Sequence, residues 1–127
     1  MLLTIDRREK RPTVFEIALI GRLDTDTSAQ LERMLNLTFE GPVRGLHLNL
    51  EKLAYISSAG IRVVILAAKK ARAAGATFTM SDLQPQIRKV FEIVQALPAQ
   101  TIFASVKEAD AYFDEIQKRA LAGPPPE

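Results

Sequence analysis

The chain has 127 residues, no cysteine, and 17 basic against 15 acidic side chains for a formal net charge of +2. That length suits one domain burying roughly two-thirds of the surface its unfolded chain exposes, and the lack of cysteine excludes disulfide staples and thiolate chemistry. Near-balanced charge gives no nucleic-acid footprint, no run approaches the roughly 20 apolar residues that span a bilayer, and no leader pattern follows Met1, so a cytoplasmic protein without membrane insertion is expected.

In chain order, Leu3 and Ile5 alternate with Thr4 and Asp6, and Val14 to Ile20 alternates again with Phe15, Ile17 and Leu19 on one face. The spacing predicts a two-stranded hairpin, with the charged run Arg7-Arg8-Glu9-Lys10-Arg11 as its solvated turn. Gly21-Arg22-Leu23-Asp24 is expected to leave the sheet. Thr25-Asp26-Thr27-Ser28 then offers several N-caps, and Thr27 with Gln30 fits a capping box, ahead of a helix carrying Leu31, Met34, Leu35 and Thr38 in phase. Gly41-Pro42-Val43 ends that helix and leads into a third strand at Leu46, Leu48 and Leu50, whose period of two sets His47 and Asn49 on the opposite face.

The next helix is expected from about Ser58 to Ala74. At about 100° per residue, Gly60, Val64, Ala67, Ala68, Ala71 and Ala74 share a stripe of small residues that lets the helix lie close to the sheet. Arg62, Lys69, Lys70 and Arg72 occupy the opposite arc, into which Leu66 projects with Ile61 and Ile65 along one flank. Those apolar residues either anchor a partner or lie under a neighbouring helix or loop. Gly75 is a good C-cap. Ala76, Phe78 and Met80 give a fourth strand, and Pro85 opens a helix with Ile87, Val90, Phe91 and Val94 on one face, closed by Leu97-Pro98. Thr101-Ile102-Phe103 fits a short edge strand. Ser105 and Glu108 fit a capping box for a last helix with Ala109, Tyr112, Phe113, Ile116 and Ala120 inside, before Gly123-Pro124-Pro125-Pro126. Strands alternating with helices after an initial hairpin imply an α/β domain with a mixed sheet.

The stretch from Leu46 to Val64 holds the candidate site, because Ser57 and Ser58 fall where a strand gives way to a helix. Unpartnered N–H groups and the positive end of the helix dipole suit a serine there to cap the helix or to carry a phosphate. Nucleophilic catalysis is not expected. Ser58-Ala59-Gly60 is only the second half of a Gly-x-Ser-x-Gly elbow, and the sole histidine, His47, reads as a partly exposed strand residue. Asp24 and Asp26 lie where helix caps belong, without metal-ligand spacing or a Gly-rich phosphate loop, so no catalytic residue, metal or cofactor is expected.

Gly21-Arg22-Leu23-Asp24, Leu48-Asn49-Leu50-Glu51 with Leu53, and Tyr55-Ile56-Ser57-Ser58-Ala59-Gly60-Ile61 resemble the STAS domain of bacterial anti-sigma factor antagonists, and Gly75 and Leu83-Gln84-Pro85 also fit. The resemblance runs from about Leu2 to Ala120. It implies one STAS-like domain over residues 1–120, with a sheet of four to five strands and about four helices, and a frayed tail over 121–127.

The resemblance further implies a phosphorylation switch. The family's Asp-Ser-Ser/Thr-Gly segment places its phosphoserine at Ser58, with Ser57 as the second candidate. Ser57 stands where the Asp usually is, which removes a negative charge beside the phosphate, and Ala59 replaces the following hydroxyl. Asp24 matches the family's acidic residue near the switch. The expected partner-facing residues are Asp24, Ser57, Ser58, Ala59, Gly60, Ile61, Arg62, Ile65 and Leu66. The implied partners are an anti-sigma serine kinase of the histidine-kinase-like ATPase type and a serine phosphatase. Two other readings remain open here: serines that only cap the helix, and a cytosolic STAS-type subunit of a lipid or anion transport system.

Overall fold

A computed structural model describes residues 2–96 and 106–122. Strand β1 (Leu3–Arg11) runs antiparallel to β2 (Val14–Leu23), and helix α1 (Ser28–Thr38) leads to β3 (Gly45–Asn49), β4 (Leu53–Ile56) and helix α2 (Ser58–Ala73). Strand β5 (Thr77–Ser81) and helices α3 (Pro85–Ala96) and α4 (Val106–Ala122) complete the fold. The result is a five-stranded mixed sheet in order β1-β2-β3-β5, with β4 also paired to β2. Pairing of β2 with β3 and β4, and of β3 with β5, is parallel.

The alternation read from the sequence sets which face of the sheet is dry. Leu3, Ile17, Leu19, Leu46 and Leu48 point into a single core, where they meet Leu31 and Leu35 of α1, Val63, Val64 and Ala67 of α2, Ile87 and Val90 of α3, and Phe113 of α4. The intervening residues, among them Thr4, Glu16, His47 and Thr79, are exposed or half-buried. His47 lies there with Nδ1 2.6 Å from Thr79 Oγ1 and Nε2 2.7 Å from Ser81 Oγ, both on β5.

Several expectations need correction. The charged run Arg7 to Arg11 is strand, not turn: it pairs with β2 while its side chains stay in solvent, and Pro12-Thr13 makes the reversal. Gly21 to Leu23 likewise stay in β2, because β4 supplies a partner for that end of the strand. β4 itself was hidden. Strand β3 ends at Asn49, the chain turns through Glu51-Lys52, and β4 resumes along the part of β2 that the shorter β3 does not reach. Its buried residues, Leu53 and Ile56, are three apart and break the period of two that marks a strand.

The capping box at Thr27 does not form. The Thr27 hydroxyl donates to the Arg22 carbonyl at 2.8 Å and accepts the Asp24 N–H at 2.9 Å, while Gln30 Nε2 reaches the Leu3 carbonyl at 2.9 Å. Asp24 does the local capping, its Oδ1 accepting the Asp26 and Thr27 N–H groups at 3.0 and 3.1 Å. On α4 the inward face is rotated from expectation: Phe113 and Gln117 are buried and Tyr112 is 41% exposed. The helix also continues to Ala122. The expected strand at Thr101–Phe103, the Ser105 cap, the Leu97-Pro98 terminator and the Gly123–Pro126 tail lie outside the described residues.

Helix α2 is fixed at both ends. Ser57 caps its start in an extended conformation, its Oγ accepting the Gly60 N–H at 3.3 Å. At its end Gly75, at φ +70°, and Ala76 donate to the carbonyls of Arg72 and Ala71, the pattern of a Schellman cap. Within the first turn, Gly60 permits the closest approach to the sheet. A Cβ there would lie 2.7 Å from the Leu23 carbonyl oxygen, 2.8 Å from Leu23 Cγ and 2.9 Å from Ile56 Cγ1. Gly60→Ala gains helix propensity but must push α2 off the sheet, for a net expected loss of about 1–3 kcal/mol. A fall in the urea midpoint with unchanged slope checks this.

Candidate functional site

The end of β2, the short β4 and the first turn of α2 form one corner. The Ser57 N–H donates to the Leu23 carbonyl at 2.9 Å, which joins the start of α2 to the strand that leads into Asp24. The two serines then differ sharply. Ser57 is 3% exposed and its hydroxyl is occupied as the cap. Ser58, one residue into the helix, is half-buried and reaches the surface.

Ser58 is held from outside its own helix. Its N–H and its Oγ both donate to Oδ1 of Asp110 on α4, at 3.0 and 2.5 Å. The next turn of α4 places Asp114 on the Tyr55 hydroxyl. The turn after that buries Gln117, whose Oε1 accepts the Ile56 N–H at 3.0 Å and whose Nε2 donates to the Ile56 carbonyl at 2.7 Å. Positions 110, 114 and 117 share one helical face, so α4 grips β4 and the start of α2 along a single polar stripe. The carboxylate on Ser58 thus comes from a helix distant in the chain. Sequence reasoning missed Asp110, Asp114 and Gln117; the available signal was their spacing, polar residues beside the apolar Phe113 and Ile116.

Charge continues around the corner. The Arg22 guanidinium lies 3.8 Å from the centre of the Tyr55 ring, and its Nε is 3.6 Å from Asp24 Oδ2. Burial pushes the Tyr55 phenol above its ordinary pKa, the hydrogen bond and charge of Asp114 push the same way, and Arg22 opposes them. Asp24 is therefore engaged in a turn and an ion pair at the same corner as Ser58.

The outward side of α2 carries part of the expected surface. Ala59 and Leu66 are half-buried, Ile65 is 40% exposed, and Arg62 is exposed with its guanidinium 3.4 Å from Glu32 of α1. Three residues expected to face a partner are buried in the chain. The side chains of Ser57 and Ile61 are buried, and Gly60 is packed on Leu23 and Ile56, because the first turn of α2 drives directly into the sheet. His47 takes its ring partners from β5, whereas Ser58 takes its partner from α4.

A family model for the STAS domain matches residues 7–109. The chain belongs to the STAS family. Within it, the chain is 37% identical over 95 residues to BtrV of Bordetella bronchiseptica, which carries the name of an anti-sigma factor antagonist; the match covers 75% of this chain and 82% of BtrV. Among solved structures, the fold is similar to the anti-sigma factor antagonist SpoIIAA in its unphosphorylated form, with a TM-score of 0.62, 20% identity, and coverage of 87% of this chain and 98% of that one. It is also similar to an anti-sigma factor antagonist from Mycobacterium paratuberculosis, with a TM-score of 0.64, 13% identity, and coverage of 88% and 94%. At those identities the two structures show the STAS fold. BtrV gives the chain its likeness to the family's anti-sigma factor antagonists, and among the described residues no helix is long and apolar enough to cross a membrane.

Two measurements test how α4 is held. Gln117→Met keeps the volume but strands the buried N–H and C=O of Ile56, so stability should fall by about 2–4 kcal/mol in a denaturant titration. For Tyr55, the raised pKa means that its contribution is complete below the ordinary phenol value of about 10 and is lost as pH rises beyond it. Tyr55→Phe should therefore be less stable at neutral pH yet lose less stability than wild type between about pH 9 and 11, read from denaturant midpoints across that range.

Proposed function

We propose that this STAS protein acts as an anti-sigma factor antagonist in a phosphorylation-controlled partner switch. The unmodified form binds an anti-sigma factor, a serine kinase of the histidine-kinase-like ATPase type, and thereby frees sigma. The kinase then transfers a phosphoryl group to Ser58: the Oγ–P bond forms as the bond from the γ-phosphorus to the departing ADP breaks, and the hydroxyl proton passes to a base on the kinase or to solvent. A serine phosphatase hydrolyses the ester and resets the switch. This chain is substrate and binder in that cycle.

The observation that carries the reading is the difference between the two serines. Ser57 is sequestered as the helix cap, whereas Ser58 is half-buried at the rim of the same helix start, its hydroxyl bonded to Asp110 of α4. Asp24 stands at the same corner, and Ala59, Arg62, Ile65 and Leu66 continue along α2 as a mixed apolar and charged strip. Phosphorylation adds about −1.5 to −2 charges and replaces a small neutral group by a strongly solvated dianion. A partner packed over Ser58 meets that dianion at its contact surface, so binding is lost chiefly through desolvation and repulsion at one point.

Tagged wild type, Ser58→Ala and Ser58→Asp, each used to capture partners from the native host with identification by mass spectrometry, test the reading. Wild type and Ser58→Ala should retain a histidine-kinase-like ATPase, Ser58→Asp should retain at least about tenfold less, and Ser58→Ala should take up no phosphate from ATP in its presence. Full phosphorylation of Ser58→Ala overturns the assignment of the residue. Equal capture of a transport ATPase or permease by all three proteins replaces the switch with the transport reading.

A further inference from the structure

The interface between Ser58 and α4 has the properties of a latch. Oδ1 of Asp110 accepts both the N–H and the Oγ hydrogen of Ser58, so one carboxylate oxygen occupies the anion position at the start of α2. A phosphoserine has no hydrogen on Oγ to donate, and its phosphate competes for the same Ser58 N–H. The 2.5 Å contact would then set two anionic groups against each other. One must leave. The phosphate is tethered to α2, whereas Asp110 belongs to a separate helix and can move with it.

We propose that Asp110 is a positioning residue for Ser58 that couples its modification to the docking of α4. In the unmodified chain Asp110 fixes the Ser58 hydroxyl and pins the N-terminal half of α4 to the corner. Phosphorylation, the event assigned to Ser58 above and on which this inference rests, expels Asp110 and loosens that half. Farther along, Gln117 is buried, and its two bonds to the Ile56 backbone do not involve Ser58. The release is therefore local, hinged where α4 remains anchored.

Hydrogen exchange by mass spectrometry on the full chain tests the coupling, with phosphoserine installed at position 58 during translation. The measurement thus needs no kinase, and a failure of the kinase reading leaves it intact. Phosphoserine should speed exchange in segment 106–114 by about tenfold or more while β2 and β3 keep their protection. Asp110→Asn is isosteric and uncharged, keeps an acceptor for Ser58, and should remove most of that increase; Asp110→Ser serves if the first variant folds poorly. Unchanged exchange in 106–114 on phosphorylation overturns the proposal. An increase of equal size in the Asp110 variants also overturns it, because α4 would then respond to the phosphate without the carboxylate.

Discussion

The close approach of α2 to the end of β2 is the constraint on which the rest of the corner depends. With Gly60 seated against the Leu23 carbonyl and the Ile56 side chain, the first turn of the helix has one available position. The Ser57 N–H then reaches the Leu23 carbonyl, Ser57 Oγ turns inward as a cap, and Ser58 is left at the rim. A side chain at position 60 would lift the helix and dissolve these relations together, since protein interiors transmit displacement instead of absorbing it. The glycine of the family segment is thus needed for packing, and the exposure of the adjacent serine is a consequence of that packing.

Around this fixed point the polar groups divide into two sets. Gln117 and the Ile56 backbone form a buried, neutral, fully paired set that is costly to break. Asp110, Asp114, Asp24 and Arg22 form a half-buried, charged set at the rim, with the Arg22 guanidinium between Asp24 and the Tyr55 ring. Added negative charge acts on the second set and spares the first. The modification proposed for Ser58 would therefore act on the surface and on the near end of α4 and leave the sheet and its core folded.

Much of this was legible in the chain itself. Period-two runs such as Leu46, Leu48 and Leu50, and helical runs such as Ile87, Val90 and Phe91, are direct records of which face is dry, so the α/β order and most of the core could be read from them. Gly75 marked the end of α2, and the Ser57–Ile61 segment marked the candidate site. Where reading failed, a tertiary partner had overridden a local signal. Thr27 and Gln30 have the chemistry of a capping box, yet Arg22 and Leu3 took their polar groups. Leu53 and Ile56 lack strand periodicity, yet the unpaired end of β2 drew them into the sheet. Ile61 fell on the flank of a charged arc, yet the close seat of α2 on the sheet at Gly60 left that residue in the core.

By itself, the sequence determined the alternation of strands and helices, the identity of most inward residues, and the position of two serines at a helix start, because each depends on neighbours within a few residues. Only the tertiary structure decided which serine is accessible and what holds it. The carboxylate on Ser58 comes from Asp110, 52 residues along the chain, through a contact made when α4 packs across the corner. No period within either helix encodes that meeting. It follows from where the sheet places two distant segments, and that placement is a property of the whole core.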